Sequence, residues 1–240
     1  MDMEVISSKA QENRFIYMSG YPALFSFTPG RDIMTQDMTK GKIMPMLIRF
    51  TIPLVLGNLF QLTYNAVDSI IVGHFVGKEA LAAVGGSSAQ IVAFVVGFFT
   101  GLSSGASVTI AQFFGAKDSR SANKGLHTAY AIAAFGGLIL TVSGIILTPF
   151  LLEMMNTPAD IVADSAVYLR IYFAGIIFVL IYNMGSAILR ATGDSKRPLY
   201  YLIVCCIINI VLDVLFVIVF HMGVMGVAVA TLIAQAVSAV

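Results

Sequence analysis

Two aspartates, Asp68 and Asp213, lie inside stretches that are otherwise almost free of charge. A charge at the centre of a bilayer costs about 2.5–3.5 kcal/mol even on the mildest insertion scale, so an acid kept there marks a functional position. Asn209 stands four residues before Asp213, one helical turn away on the same face. Tyr64 stands in the same relation to Asp68, with Asn65 close by on that face. A carboxyl group set among amide and hydroxyl groups can carry a proton, or it can stay ionised and bind Na⁺. Either is what a carrier driven by an ion gradient requires. Asp68, Asn209 and Asp213 are therefore the candidate ion-coupling residues, and Na⁺ or H⁺ the candidate ion. The plainer alternative for Asp68 is that it ends its span near the outer interface, just ahead of Gly73.

Other chemistries find no support in the residue patterns. No GxxxxGK[ST] loop is present to cradle a nucleotide, so transport by this chain would draw on an ion gradient rather than on bound ATP. No HExxH or CxxC pattern offers a metal centre, and the two cysteines, Cys205 and Cys206, are adjacent within an apolar run. His74 and His221 fall at span ends and His127 near the start of a span, positions typical of interfacial histidines. A net charge of +1 provides no basic surface for nucleic acid. No cofactor and no enzymatic activity are expected.

The elements that must hold the two acids are membrane helices. Of 240 residues, 58% are hydrophobic and 11% charged, against about 25% charged in soluble domains. Ten of the charged residues fall within 1–42, which leaves the rest of the chain nearly bare. A spanning helix needs about 20 apolar residues. Charge-free stretches of that order place six helices near 46–73, 81–105, 124–148, 163–190, 198–220 and 224–240, an all-α polytopic bundle. The second apolar field is too long for one perpendicular helix, so 107–115 is expected to emerge as a helical extension. The sixth has 17 residues and no closing cap, which reads as a chain cut short. Lys40, Lys42, Arg49, Lys117, Arg120, Lys124, Arg190, Lys196 and Arg197 gather on one side of the bundle, against Lys78 alone on the other. Positive residues stay inside, so the amino terminus is expected in the cytoplasm of a multi-pass plasma (inner) membrane protein. Arg170, in the outer part of the fourth span, is long enough to snorkel.

Residues 1–37 are polar with one aromatic stretch and lack the plan of a signal peptide. They read as a tail outside the bundle, or as a start placed too early with initiation at Met34 or Met38. Within the bundle, Gly97, Gly101 and Gly105 form a ridge expected to let a neighbouring helix approach closely. Pro53 removes a backbone hydrogen bond inside the first span, where a bend is expected.

Six blocks, in order, resemble the multidrug and toxic compound extrusion (MATE) family. They are MTKGKIMPMLIRFTIPLVLGNLFQLTYNAVDSIIVGHFVGKEALAAVG (Met38–Gly85), GFFTGLSSGASVTIAQFFGAKD (Gly97–Asp118), YLRIYFAGIIF (Tyr168–Phe178), AILRATGDSKRP (Ala187–Pro198), NIVLDVLFV (Asn209–Val217) and GVMGVAVATLIAQ (Gly223–Gln235). The resemblance implies two six-helix lobes around a central cavity, with 38–240 as the amino-terminal lobe and the carboxy-terminal lobe absent. It implies export of cationic, often aromatic compounds in exchange for Na⁺ or H⁺. It implies an ion site of Asp68, Asn209, Asp213 and Thr231, with Tyr64 alongside and Pro53 as bending point. Half a cavity cannot alternate access, so a second lobe or a second copy of the chain would be needed.

Three other readings have specific expectations. A lipid-linked precursor or polysaccharide exporter of the same superfamily would favour several cations facing the cavity, where the spans hold almost none besides Arg170. An intramembrane aspartyl protease would place its acids in motifs such as GxGD, which neither Asn65–Asp68 nor Asn209–Asp213 matches. A passive membrane scaffold would use the acids only to pair helices.

Overall fold

The computed structural model describes residues 43–116 and 118–239, all in helices and the short links between them. Helix α1 (Ile43–Ile71) continues into a π-helical turn, Val72–Val76. Then come α2 (Lys78–Gly85), α3 (Ser87–Gly115), α4 (Ser119–Met154) and α5 (Val162–Ala191). Helix α6 (Lys196–Asp213) again continues as a π-helical turn, Val214–Val219, and α7 (Gly223–Ala239) follows. Five helical runs are long and apolar enough to cross a membrane, and α7, at 17 residues, is shorter.

The second span differs from its expected form. Instead of one helix over 81–105 there is a break at Gly86 between α2 and α3. A side chain there would bring its Cβ to 2.5 Å from the Ala82 carbonyl oxygen, so only glycine fits this corner. Past the break α3 stays helical through 107–115. The third span also outgrows its apolar count. Helix α4 starts where the Asp118 carboxylate accepts from the Ser121 N–H, an N-cap whose hydrogen bond holds that exposed carboxyl below the usual carboxylate range. Residues 1–42, including the tail assigned to 1–37 and the cations Lys40 and Lys42, lie outside the described residues. Lys117 does too.

Helix α5 is the central post. Leu169, Phe173, Ile176, Leu180, Met184 and Ile188, spaced three and four apart, are buried along one stripe. They pack on Ile91 and Ile110 of α3 and on Ala129, Ala133 and Leu152 of α4. The glycines that let helices close up are not those of the α3 ridge. A Cβ at Gly97, Gly101 or Gly105 would meet nothing within 4 Å. The close approaches are at Gly137, where a Cβ would stand 2.9 Å from the Ile177 Cα, at Gly144, where it would run into the Phe173 ring, and at Gly175, where it would stand 2.9 Å from Leu232. Spacing in a sequence shows a ridge but not which way it faces. Helix α1 leans chiefly on α6, and α7 joins α6 to α5. Helix α1 runs unbroken through Pro53, one of its two buried residues.

The connection from α5 to α6 is set by its own residues. Gly193 takes φ +87°, ending α5, and the Asp194 carboxylate then accepts from the N–H groups of Lys196 (3.0 Å) and Arg197 (3.1 Å). Its second oxygen pairs with Arg197 Nε at 3.0 Å. Because Asp194 is buried, losing these acceptors leaves helix-end donors poorly served. Asp194→Ala is expected to cost about 1–2 kcal/mol of stability. The check is a thermal melt of the detergent-solubilised protein, and an unchanged midpoint would contradict this account.

Candidate ion-binding site

The last two turns of α1 carry Tyr64 and Asp68, the last two turns of α6 carry Asn209 and Asp213, and the middle of α7 carries Thr231. Because α1 packs along α6 and α6 along α7, these residues meet between three helices. Asn209 and Asp213 are 0% exposed and Thr231 5%, while Asp68 and Tyr64 are half-buried. With its amide nitrogen turned to the carboxylates, Asn209 donates to Asp68 Oδ1 at 2.8 Å and to Asp213 Oδ2 at 3.2 Å. The two carboxyl groups are themselves within hydrogen-bonding reach of each other. The Tyr64 hydroxyl lies in reach of Thr231. Asp213 Oδ1 is buried with no hydrogen-bond partner.

One amide therefore ties together two acids from different helices. Two carboxylates side by side in a low-dielectric setting repel, and Asn209 offers only two N–H groups to offset this. A free acceptor on Asp213 and a crowded pair of acids together call for a positive charge between them, a proton or a small cation. The available ligands are carboxylate, amide and hydroxyl oxygens, the hard donors that suit Na⁺. Among the described residues no group of three or more His, Cys, Asp or Glu gathers as a site for a heavier metal.

Of the residues chosen from the sequence, Asp68, Asn209, Asp213, Thr231 and Tyr64 come together. Pro53 does not. It lies fifteen residues before Asp68, about four turns down α1. Asn65 also stays out, since it is exposed and its carbonyl accepts from the Ser69 hydroxyl at 2.9 Å.

Two residues of the cluster were missed. Tyr168 of α5 neighbours Tyr64 and both acids, and it stacks on Tyr172 with ring centroids 6.2 Å apart. Both stand in the quoted Tyr168–Phe178 block, but a tyrosine near a span end reads as an interfacial anchor. Cys205 and Cys206 are free thiols, and Cys206 Sγ donates to the Phe60 carbonyl across the α1–α6 contact.

Long apolar helices packed around a pair of acids define a multi-pass helical membrane protein. The MatE family model matches residues 53–215, and the chain belongs to that family. It is similar to the probable multidrug resistance protein YpnP of Bacillus subtilis, 33% identical over 202 residues, covering 84% of this chain and 45% of that protein. It is also similar to the probable multidrug resistance protein YoeA of the same organism, 35% identical over 210 residues, covering 86% and 45%. Among solved structures, an outward-facing multidrug resistance MATE family transporter of the MOP superfamily superposes with a TM-score of 0.75. Identity there is 30%, over 81% of this chain and 43% of that one. The chain thus spans about half the length of the curated relatives it matches.

Proposed function

We propose that the chain forms the ion-coupled lobe of a secondary antiporter that exports cationic, often aromatic compounds in exchange for Na⁺ or H⁺. The observation that carries this reading is the meeting of Asp68 and Asp213 on the single amide of Asn209, with Asp213 Oδ1 left free. Asp68, Asn209, Asp213 and Thr231 bind the ion, Na⁺ or a proton, and Tyr64 and Tyr168 wall the site. Loading a positive charge relieves the repulsion between the acids, and unloading restores it. That difference gives the lobe two states with different helix packing, which is how a bound ion shifts a conformational equilibrium.

The whole cavity needs a complementary lobe, from a further segment or a second copy, in keeping with the half-length cover of the relatives. The positive-inside bias puts the amino terminus in the cytoplasm of a plasma membrane. The protein performs no covalent chemistry. The aspartyl-protease reading is disfavoured because the acids share an amide donor rather than framing a space for a peptide and water. The scaffold reading leaves the free Asp213 oxygen unexplained.

The test is counterflow of a cationic dye by the intact protein in vesicles, against an imposed Na⁺ gradient in one arm and an imposed pH gradient in the other. Dye movement that follows either gradient identifies the coupling ion. Dye movement indifferent to both would overturn the proposal.

A further inference from the structure

Each of the three helices that carry the acids and Thr231 also places a valine one turn further towards the same end of the bundle. Val72 follows Asp68 by four residues, and Val217 follows Asp213 by four. Helix α7 runs the opposite way, so Val227, four residues ahead of Thr231, lies on that same side. The three valines are 0%, 4% and 1% exposed and belong to one buried cluster, which Ile71, Val224 and Ala80 complete.

Tyr168, a neighbour of both acids, packs against this cluster. The two π-helical turns that carry Val72 and Val217 touch each other. Helix α2 is pinned over them, its Ala83 carbonyl accepting from the buried Ser165 hydroxyl of α5 at 3.2 Å. Beyond the valines come exposed His74 and His221. The layers therefore run from charge, through a closed apolar ring, to the polar end of the lobe.

A bare ion cannot enter such a ring without shedding its water, and apolar constrictions of this kind close by dewetting. On the other side the acids are less enclosed. Asp68 is only half-buried, and Pro53 and Ile71 are the only fully buried residues of α1. We propose that Val72, Val217 and Val227 form an ion-tight seal that cuts the acid pair off from the His74–His221 end. The ion then enters and leaves past Asp68 along the open flank of α1. If the acids are the coupling site proposed above, on which the seal's role depends, it stops the driving ion from crossing the lobe without cargo.

The experiment uses the intact protein in vesicles with no dye present. The triple variant Val72→Thr, Val217→Thr, Val227→Thr keeps side-chain shape while making the ring polar. It is expected to raise passive leak of radiolabelled Na⁺ or of protons by about tenfold or more, as a lowered barrier would. A folded triple variant that leaks no more than the parent protein would overturn the seal.

Thiol labelling decides independently of that variant's folding. In a Cys205→Ala, Cys206→Ala background, Val217→Cys is expected to resist a membrane-impermeant maleimide that labels Phe75→Cys, an exposed position on the same side. Labelling of both at equal rates would overturn the seal. Dye efflux that survives Asp213→Asn would count against the coupling site, whatever the leak and labelling show. Efflux lost in Asp213→Asn, with no leak in the valine variant, would count against the seal alone.

Discussion

Replacing Asp213 by Asn is expected to abolish ion-coupled efflux of a cationic dye by the intact protein in vesicles, and Asp68→Asn to do the same. Asparagine keeps the size and shape of the side chain, so packing around the fully buried position stays intact. It removes the group that takes up a proton and halves the formal charge available to hold Na⁺. Coupling between two ligands is usually worth ~5–150-fold in affinity, and losing it leaves dye efflux indifferent to the ion gradient. The chain contains no tryptophan, so its tyrosine fluorescence is readable. With Tyr64 and Tyr168 near the acids, Na⁺ or a pH step should change that signal in the parent protein and not in Asp213→Asn. Full efflux in both variants would reject the assignment of the site. Lost efflux with an unaltered fluorescence response would place the acids in helix pairing rather than ion binding.

The second large effect is structural. Gly144→Val is expected to leave little folded protein, because any Cβ at that position runs into the Phe173 ring. Phe173 is 1% exposed at the centre of the α4–α5 contact, so the ring has nowhere to move. Overpacking a tight core typically costs about 1–3 kcal/mol, and a collision with an immobile ring belongs at or above the upper end. Phe173→Leu should rescue Gly144→Val in part, and the non-additivity of the pair would measure the contact directly. Gly101→Val is the control: its Cβ meets nothing within 4 Å, so the stability of this lobe should hold. Size-exclusion profiles and melting curves of the variants read the result. Equal melting of Gly144→Val and Gly101→Val would refute this view of the α4–α5 packing.

What could be read without the structure follows from how expensive each feature is. Charge in oil is costly, so Asp68 and Asp213 stood out at once, and Asn209 followed from helical spacing alone. Charge-free length gave the spans for the same reason. Features with little energetic signature stayed hidden. Val72, Val217 and Val227 are three among many valines, and only their shared height beside the polar cluster sets them apart. Tyr168 and Tyr172 drew no reading of their own because periodicity fixes a face but not its neighbour. The glycine ridge misled for that same reason, since Gly97, Gly101 and Gly105 turn away from the core while Gly137, Gly144 and Gly175 do the packing. Helix α4 was underestimated at its start because its first turn is polar yet capped by Asp118, and at its end it runs on through Pro149 into residues 150–154.

The π-helical turns after Asp68 and Asp213 have an evolutionary corollary. Their hydrogen bonds span five residues, from the Gly77 N–H to the Val72 carbonyl and from the Phe220 N–H to the Leu215 carbonyl, one more than an α-helix uses. Deleting a single residue from either turn would let it relax to ordinary α geometry, so the chain downstream keeps its direction while the residues within the turn shift by one place relative to the preceding aspartate. Relatives that align with a one-residue gap at 72–76 or 214–219 should therefore retain the acids yet present a different ring of side chains above them. Such gaps are a natural place to look for family members in which ion access, rather than ion binding, has diverged.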